Sequence, residues 1–160
     1  MKYRDKRERG NSRRFNNQNM GKIDNLIIDI QKKLRNSINP LNLSNLNAYE
    51  RKRIHSFFDN KQDFITKTYR DNENYIFRVY PIGNLKRFVE EKAQQALSTG
   101  EPVELPAMTS YERYIIHDFL KNWEGIETTS VGENENRHIE IKPKRFGRTL
   151  KKIIKKMKIF

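Results

Sequence analysis

The chain contains no cysteine, only one tryptophan, five prolines and seven glycines in 160 residues. Without cysteine there are neither disulfide staples nor thiolate metal sites, so any fold must rest on its apolar core, and a reducing cytoplasm suits it. No run approaches the roughly 20 apolar residues needed to cross a bilayer. The opening residues, Met1 to Arg14, are too charged to hold the apolar segment of a secretory signal. A soluble, cytoplasmic protein is therefore expected. Also missing is a Gly-x-x-x-x-Gly-Lys phosphate loop, which excludes helicase and ATPase chemistry of that type.

Acidic residues are scarce as well: 20 Asp and Glu stand against 33 Lys and Arg, giving a net charge of +13. The excess is concentrated at the ends. Residues 1–22 carry eight basic and two acidic residues (+6), and residues 142–160 carry nine basic residues and no acid (+9). Between them, residues 23–81 come to +3 and residues 82–141 to −5. A polycation of this form is drawn to phosphates, because each neutralised phosphate releases a condensed counterion. Nucleic acid is the first partner to consider.

Shifted by 62 positions without gaps, the second half of the chain repeats the first. Tyr49-Glu50-Arg51 falls on Tyr111-Glu112-Arg113, Ile54-His55 on Ile116-His117 and Phe57 on Phe119. The same shift matches Pro40 to Pro102, Leu43 to Leu105, Thr66 to Thr128 and Pro81 to Pro143. The repeat reads as a duplicated domain of about 60 residues, near the lower size at which a single core suffices.

Residues 1–22, rich in Arg, Asn and Lys and poor in aliphatics, are expected to form a disordered basic arm. Helical spacing then begins: Ile23, Leu26, Ile27, Ile30 and Leu34 make one apolar stripe, repeated as Leu85, Phe88, Val89, Ala93, Ala96 and Leu97. Short alternating segments follow Pro40 and Pro102 and suit one strand each. Asn47 with Glu50, and Thr109 with Glu112, start a second helix by the capping-box pattern. Its buried side is expected at Ile54, Phe57 and Phe58, and at Ile116, Phe119 and Leu120. Hairpins come last, 64–70 with 75–80 and 126–131 with 137–141. The expected fold class is α/β: two tandem small domains, 23–81 and 82–143, each helix-strand-helix-strand-strand with two helices on one face of a three-stranded sheet. Residues 144–160 read as a basic amphipathic tail. Leu150, Ile153, Ile154 and Met157 line one side, and Lys151, Lys152 and Lys155 lie among the cations of the other.

Within each copy an Arg and a His stand four apart on the second helix, Arg51 with His55 and Arg113 with His117, and so are neighbours on one face. A guanidinium presents a planar fork of donors to a phosphate or base edge, and an imidazole can donate to phosphate or stack on an exposed base. Lys52 and Arg53 extend the first pair into a basic run. Tyr49, Tyr111, Tyr75 and Tyr80 could stack on unpaired bases, although such spacing more often marks core aromatics. His138 reads as a strand residue. A metal site is not expected, since the histidines have cations beside them and no companion ligands. Nuclease chemistry would need two titrating groups at one phosphate, and His55 and His117 belong to different copies.

The run Leu105 to Arg113, then His117, then Thr128 to Glu133 with Arg137 and Ile139, resembles the R-3-H domain family, named for Arg, three residues, His. The resemblance covers residues 82–143 as a complete domain; residues 23–81 resemble it more distantly. It points to the Jag-type RNA-binding proteins of bacteria, although no Gly-x-x-Gly loop of their KH domain is present here. The resemblance implies binding of single-stranded nucleic acid by Arg113 and His117, with Arg137 beside the Gly132-Glu133 turn, and by Arg51 and His55 in the first copy. That copy has Arg70-Asp71 and Tyr75 in place of Gly132-Glu133 and Arg137.

The expected function is non-catalytic binding of single-stranded RNA or DNA, RNA first, with no cofactor, helped by Lys151, Lys152 and Lys155 of the tail. A ribosome- or membrane-associated adaptor, its acidic second copy binding a protein, is the alternative.

Overall fold

A computed structural model describes residues 7–72 and 74–144, with the backbone alone for residues 7–20 and Asp71. In chain order the elements are α1 (Arg7–Leu34), β1 (Leu41–Leu43), α2 (Ala48–Asp59), β2 (Ile65–Asp71), β3 (Asn74–Tyr80), α3 (Ile82–Thr99), β4 (Val103–Glu104), α4 (Ser110–Leu120), β5 (Ile126–Val131) and β6 (His138–Pro143). The fold is mixed α/β, with four α-helices and two small three-stranded antiparallel sheets among the described residues. Two compact units divide between Asn84 and Leu85.

In the first unit β3 is the central strand, flanked by β1 and β2. Ile23, Ile27, Ile30 and Leu34 of α1 meet Ile54 and Phe58 of α2 and Phe77 and Val79 of β3 in one buried cluster. Phe77 and Val79 alternate onto the same side of β3, so both helices cover one face of the sheet. The Asn84 side chain donates to the carbonyls of Leu34 (2.8 Å) and Ser37 (2.8 Å) and so satisfies the end of α1.

The second unit has the same strand order, with β6 central between β4 and β5. Its buried residues include Val89, Ala93 and Ala96 of α3, Ile115, Ile116 and Leu120 of α4, and Ile139 and Ile141 of β6. The registers of the two sheets differ by the repeat distance. Thr66 opposes Val79 as Thr128 opposes Ile141, and Leu41 opposes Val79 as Val103 opposes Ile141.

Several expectations are corrected. The backbone of residues 7–22, expected as a disordered arm, continues α1 toward the amino terminus. No proline interrupts this stretch, and propagating a helix from a nucleus already docked through Ile23 and Ile27 costs little per residue. Phe57 is 37% exposed instead of buried, because Ile54 and Phe58 set the buried side of α2; its ring meets Phe58 edge-on at 5.1 Å. Leu97 is likewise exposed. The first hairpin is tighter than expected. Asp71 pairs with Asn74, and Asn72 takes the turn at φ 54°, a left-handed conformation that Asn tolerates. The tail, including Lys151, Lys152 and Lys155, lies outside the described residues.

Candidate nucleic-acid interface

The helix that carries the Arg/His pair is built the same way in both units. Asn47 caps α2 and Thr109 caps α4, each accepting from the backbone N–H three residues on, while Glu50 and Glu112 accept from the cap residue in return. Glu112 is 3% exposed, a buried carboxylate that accepts from the Thr109 backbone N–H (2.9 Å) and hydroxyl (2.6 Å). These caps fix where each helix starts, and therefore where the Arg one turn later is placed.

Both arginines turn back toward the loop before their helix. Arg51 Nη1 donates to the Leu46 carbonyl at 2.5 Å, and Arg113 Nη1 donates to the Met108 carbonyl at 2.6 Å. This holds the guanidinium planes in place. A guanidinium has five N–H donors, and that of Arg113 forms no other hydrogen bond among the described residues, so most of its fork remains for a ligand. Both arginines are half-buried, neither packed inside nor fully extended into solvent.

Each histidine is tied to the second strand of its own unit. His117 Nδ1 is hydrogen-bonded to Thr128 Oγ1 at 2.8 Å, and His55 Nδ1 to Thr66 Oγ1. The bond fastens the helix to an edge strand and aims the ring, leaving Nε2 without a partner among the described residues. Which role Nε2 plays follows from the threonine: a hydroxyl that donates to Nδ1 makes Nε2 a donor, and one that accepts makes it an acceptor. Burial first, and the Arg113 guanidinium second, lower the proton affinity of His117 from its ordinary value. Both causes favour the neutral form of the His117 ring.

In the first unit, Arg51, Lys52, His55, Thr66, Lys67, Thr68 and Phe77 line a shallow hollow of about 350 Å³. The lining holds three cations and no acid. Arg53, two positions beyond Arg51, is exposed but takes no part in it, because two helical steps turn a side chain by about 200°. The Arg51 guanidinium also lies over the Tyr75 ring, 4.6 Å from its centroid.

In the second unit the position of Tyr75 is taken by Arg137, which is exposed and donates from Nε to Ser130 Oγ at 3.1 Å. The hairpin preceding it depends on Gly132 at φ +85°, where a Cβ would lie 2.7 Å from the Asn136 carbonyl oxygen. A larger open hollow, about 660 Å³, is lined by Glu127, Glu140, Lys142 and Lys144 with Gly100, Pro102 and Pro143, without Arg113 or His117. Lys142 and Glu140 pair there at 2.7 Å, and its mixed charge offers no preference for an anion.

Residues 83–143 match the R-3-H domain family. The matched stretch runs from the start of α3 to the end of β6, so it contains Arg113, His117, Thr128, Gly132 and Arg137 together. A 77-residue stretch is 42% identical to the RNA-binding protein KhpB of Bacillus subtilis (strain 168), covering 47% of this chain and 36% of that protein. The chain thus spans about a third of the length of this curated relative. No solved structure matches the chain significantly.

Two features of the site escape a reading of motifs. Thr66 and Thr128 match at the repeat distance, yet their role depends on a helix-to-strand contact across eleven residues. Tyr114 is 63% exposed on α4 and packs against Tyr111, with ring centroids 6.3 Å apart and planes 21° from parallel. Of the other tyrosines considered for stacking, Tyr80 is buried, Tyr111 half-buried, and Tyr49 and Tyr75 exposed. Among the described residues no group of His, Asp and Glu side chains could hold a metal.

Proposed function

We propose that this protein binds single-stranded nucleic acid, RNA in the first place, as a non-catalytic binding protein with two Arg/His edges and basic ends. The observation that carries the reading is the R-3-H domain at 83–143, with its Arg113 and His117 held side by side on α4. The similarity of a 77-residue stretch of the chain to a relative named an RNA-binding protein supports RNA as the ligand.

The first unit is, in this reading, a divergent copy of the same domain. It has the same strand order, the same register at a 62-residue offset, the same capping box, the same Arg-to-loop bond and the same His–Thr bond. The two copies divide the work. Arg51, Lys52 and Lys67 around the acid-free hollow, with the basic ends, provide most of the attraction for phosphate; the acidic second unit adds a more selective contact through Arg113, His117 and Arg137.

Binding of a labelled single strand, followed over a range of salt, tests the reading. Phosphate binding requires log affinity to fall linearly with log salt, and an affinity too weak to measure at low salt would end the proposal. Replacing Arg51 and His55 together by Ala is expected to weaken binding more than replacing Arg113 and His117; the reverse order would refute the division of labour.

A further inference from the structure

Tyr114 is the most exposed of the large apolar side chains described. It contributes nothing to the core, since the buried side of α4 consists of Ile115, Ile116 and Leu120 with Glu112. Tyr114 stands one residue after Arg113 and three before His117, so its ring borders the Arg/His edge on the helix surface. Tyr111, half-buried, packs beside it in an offset, near-parallel arrangement, with ring centroids 6.3 Å apart, and the Tyr114 ring remains 63% exposed.

The first unit shows the same set of groups with two of them exchanged. At the place of Tyr114 stands Lys52, and at the place of Arg137 stands Tyr75, which is 45% exposed and backed by the Arg51 guanidinium at 4.6 Å. At these exchanged positions each edge therefore has, besides its Arg and His, one cation and one exposed tyrosine with a neighbouring group packed beside its ring. In one unit the cation is on the helix and the ring on the hairpin; in the other the places are reversed. Two units that differ in net charge thus both present an exposed ring near the Arg/His pair.

We infer that Tyr114 in the second unit and Tyr75 in the first are base-stacking platforms, each receiving one unpaired base of a strand whose phosphates lie against the neighbouring cations. This rests on the reading given under Proposed function and adds to it the part of the ligand each ring contacts. A phosphate alone has no use for an exposed ring, whereas every base has a π-face. Tyr111 or Arg51 already packs beside the ring, and a tyrosine has only two side-chain torsions to order, so stacking gains contact area with little further loss of side-chain freedom. Tyr114 follows Arg113 directly in α4, and Tyr75 lies 4.6 Å from the Arg51 guanidinium, so each ring is within reach of a base whose phosphate meets the neighbouring arginine.

The experiment compares two labelled strands of equal length and charge, an oligouridine and an abasic strand, against the full chain and its Tyr114→Ala and Tyr114→Phe variants. Tyr114→Ala is expected to weaken oligouridine binding by about tenfold, within the range of one stacked base, and to leave abasic binding unchanged. Tyr114→Phe should restore it, because stacking needs the ring and not the hydroxyl. Tyr75→Ala should show the same preference for harming the base-bearing strand. Equal losses on both strands, or no loss on oligouridine, would overturn the inference. If the unsubstituted protein bound both strands equally, base stacking would fall while phosphate binding stood. If it bound neither, the parent reading would fail with it. Tyr114 is exposed and Ala favours helix, so an unchanged thermal melt shows that any loss concerns the surface.

Discussion

At His117 two effects act in the same direction: partial burial disfavours the charged ring, and the Arg113 guanidinium one turn away repels it. The folded protein therefore binds this proton less tightly than the unfolded chain does. Consequently the contribution of His117 to stability is complete above the ordinary value of 6.5 and is lost as pH falls through the lowered folded value. Followed by NMR, the His117 ring should titrate below 6.5, and Arg113→Gln should move its midpoint upward while leaving part of the shift, because burial is the larger cause. A midpoint that stays put in the variant would show that the guanidinium is not felt. The Arg and His were legible as a pair from their spacing alone. Their anchors were not: Thr128 and the Met108 carbonyl are supplied by a strand and a loop, and only folding brings them to the helix. Tyr114 was missed for a related reason, since an aromatic in a helix carries no mark of the face it will occupy until the core has chosen its own.

Among the elements, α2 and α4 were the most legible, because their caps are written locally in Asn47-x-x-Glu50 and Thr109-x-x-Glu112. Thr109→Ala should cost about 1–2 kcal/mol and Asn47→Ala about half that, since a cap removed beside a buried carboxylate leaves the carboxylate short of a donor. Urea unfolding of both variants checks the order; equal losses would mean that the burial of Glu112 is irrelevant. The rotation of α2 was less legible. Phe57 and Phe58 both fit the apolar spacing, and the choice of Phe58 was made by packing against α1 and β3. Glycines test two other elements. At Gly21, within α1, an added methyl would meet nothing within 4 Å, whereas at Gly132 a Cβ meets backbone and φ is +85°. Gly21→Ala should stabilise by about 0.5–1 kcal/mol, and Gly132→Ala should destabilise by about 1–3 kcal/mol while displacing Arg137. Circular dichroism and thermal melting separate the two, and a neutral Gly21→Ala would count against the continuous helix.

For the whole molecule, charge placement matters more than total charge. Residues 145–160 hold seven Lys and Arg and no acid. If they touch the strand, removing them should flatten the dependence of log affinity on log salt by about 0.7 for each phosphate they had neutralised. An unchanged slope would exclude the tail from the interface. The sequence by itself determined the repeat, the order of elements, the capped helix starts and the Arg/His spacing, because periodicity, caps and turns act between residues a few positions apart. Tertiary structure decided what those residues do once placed. It selected which aromatics are buried, joined each His to its strand threonine, bent each Arg onto its loop, and left Tyr114 and Tyr75 exposed, because burial and register depend on what packs against an element, and that partner lies far away along the chain.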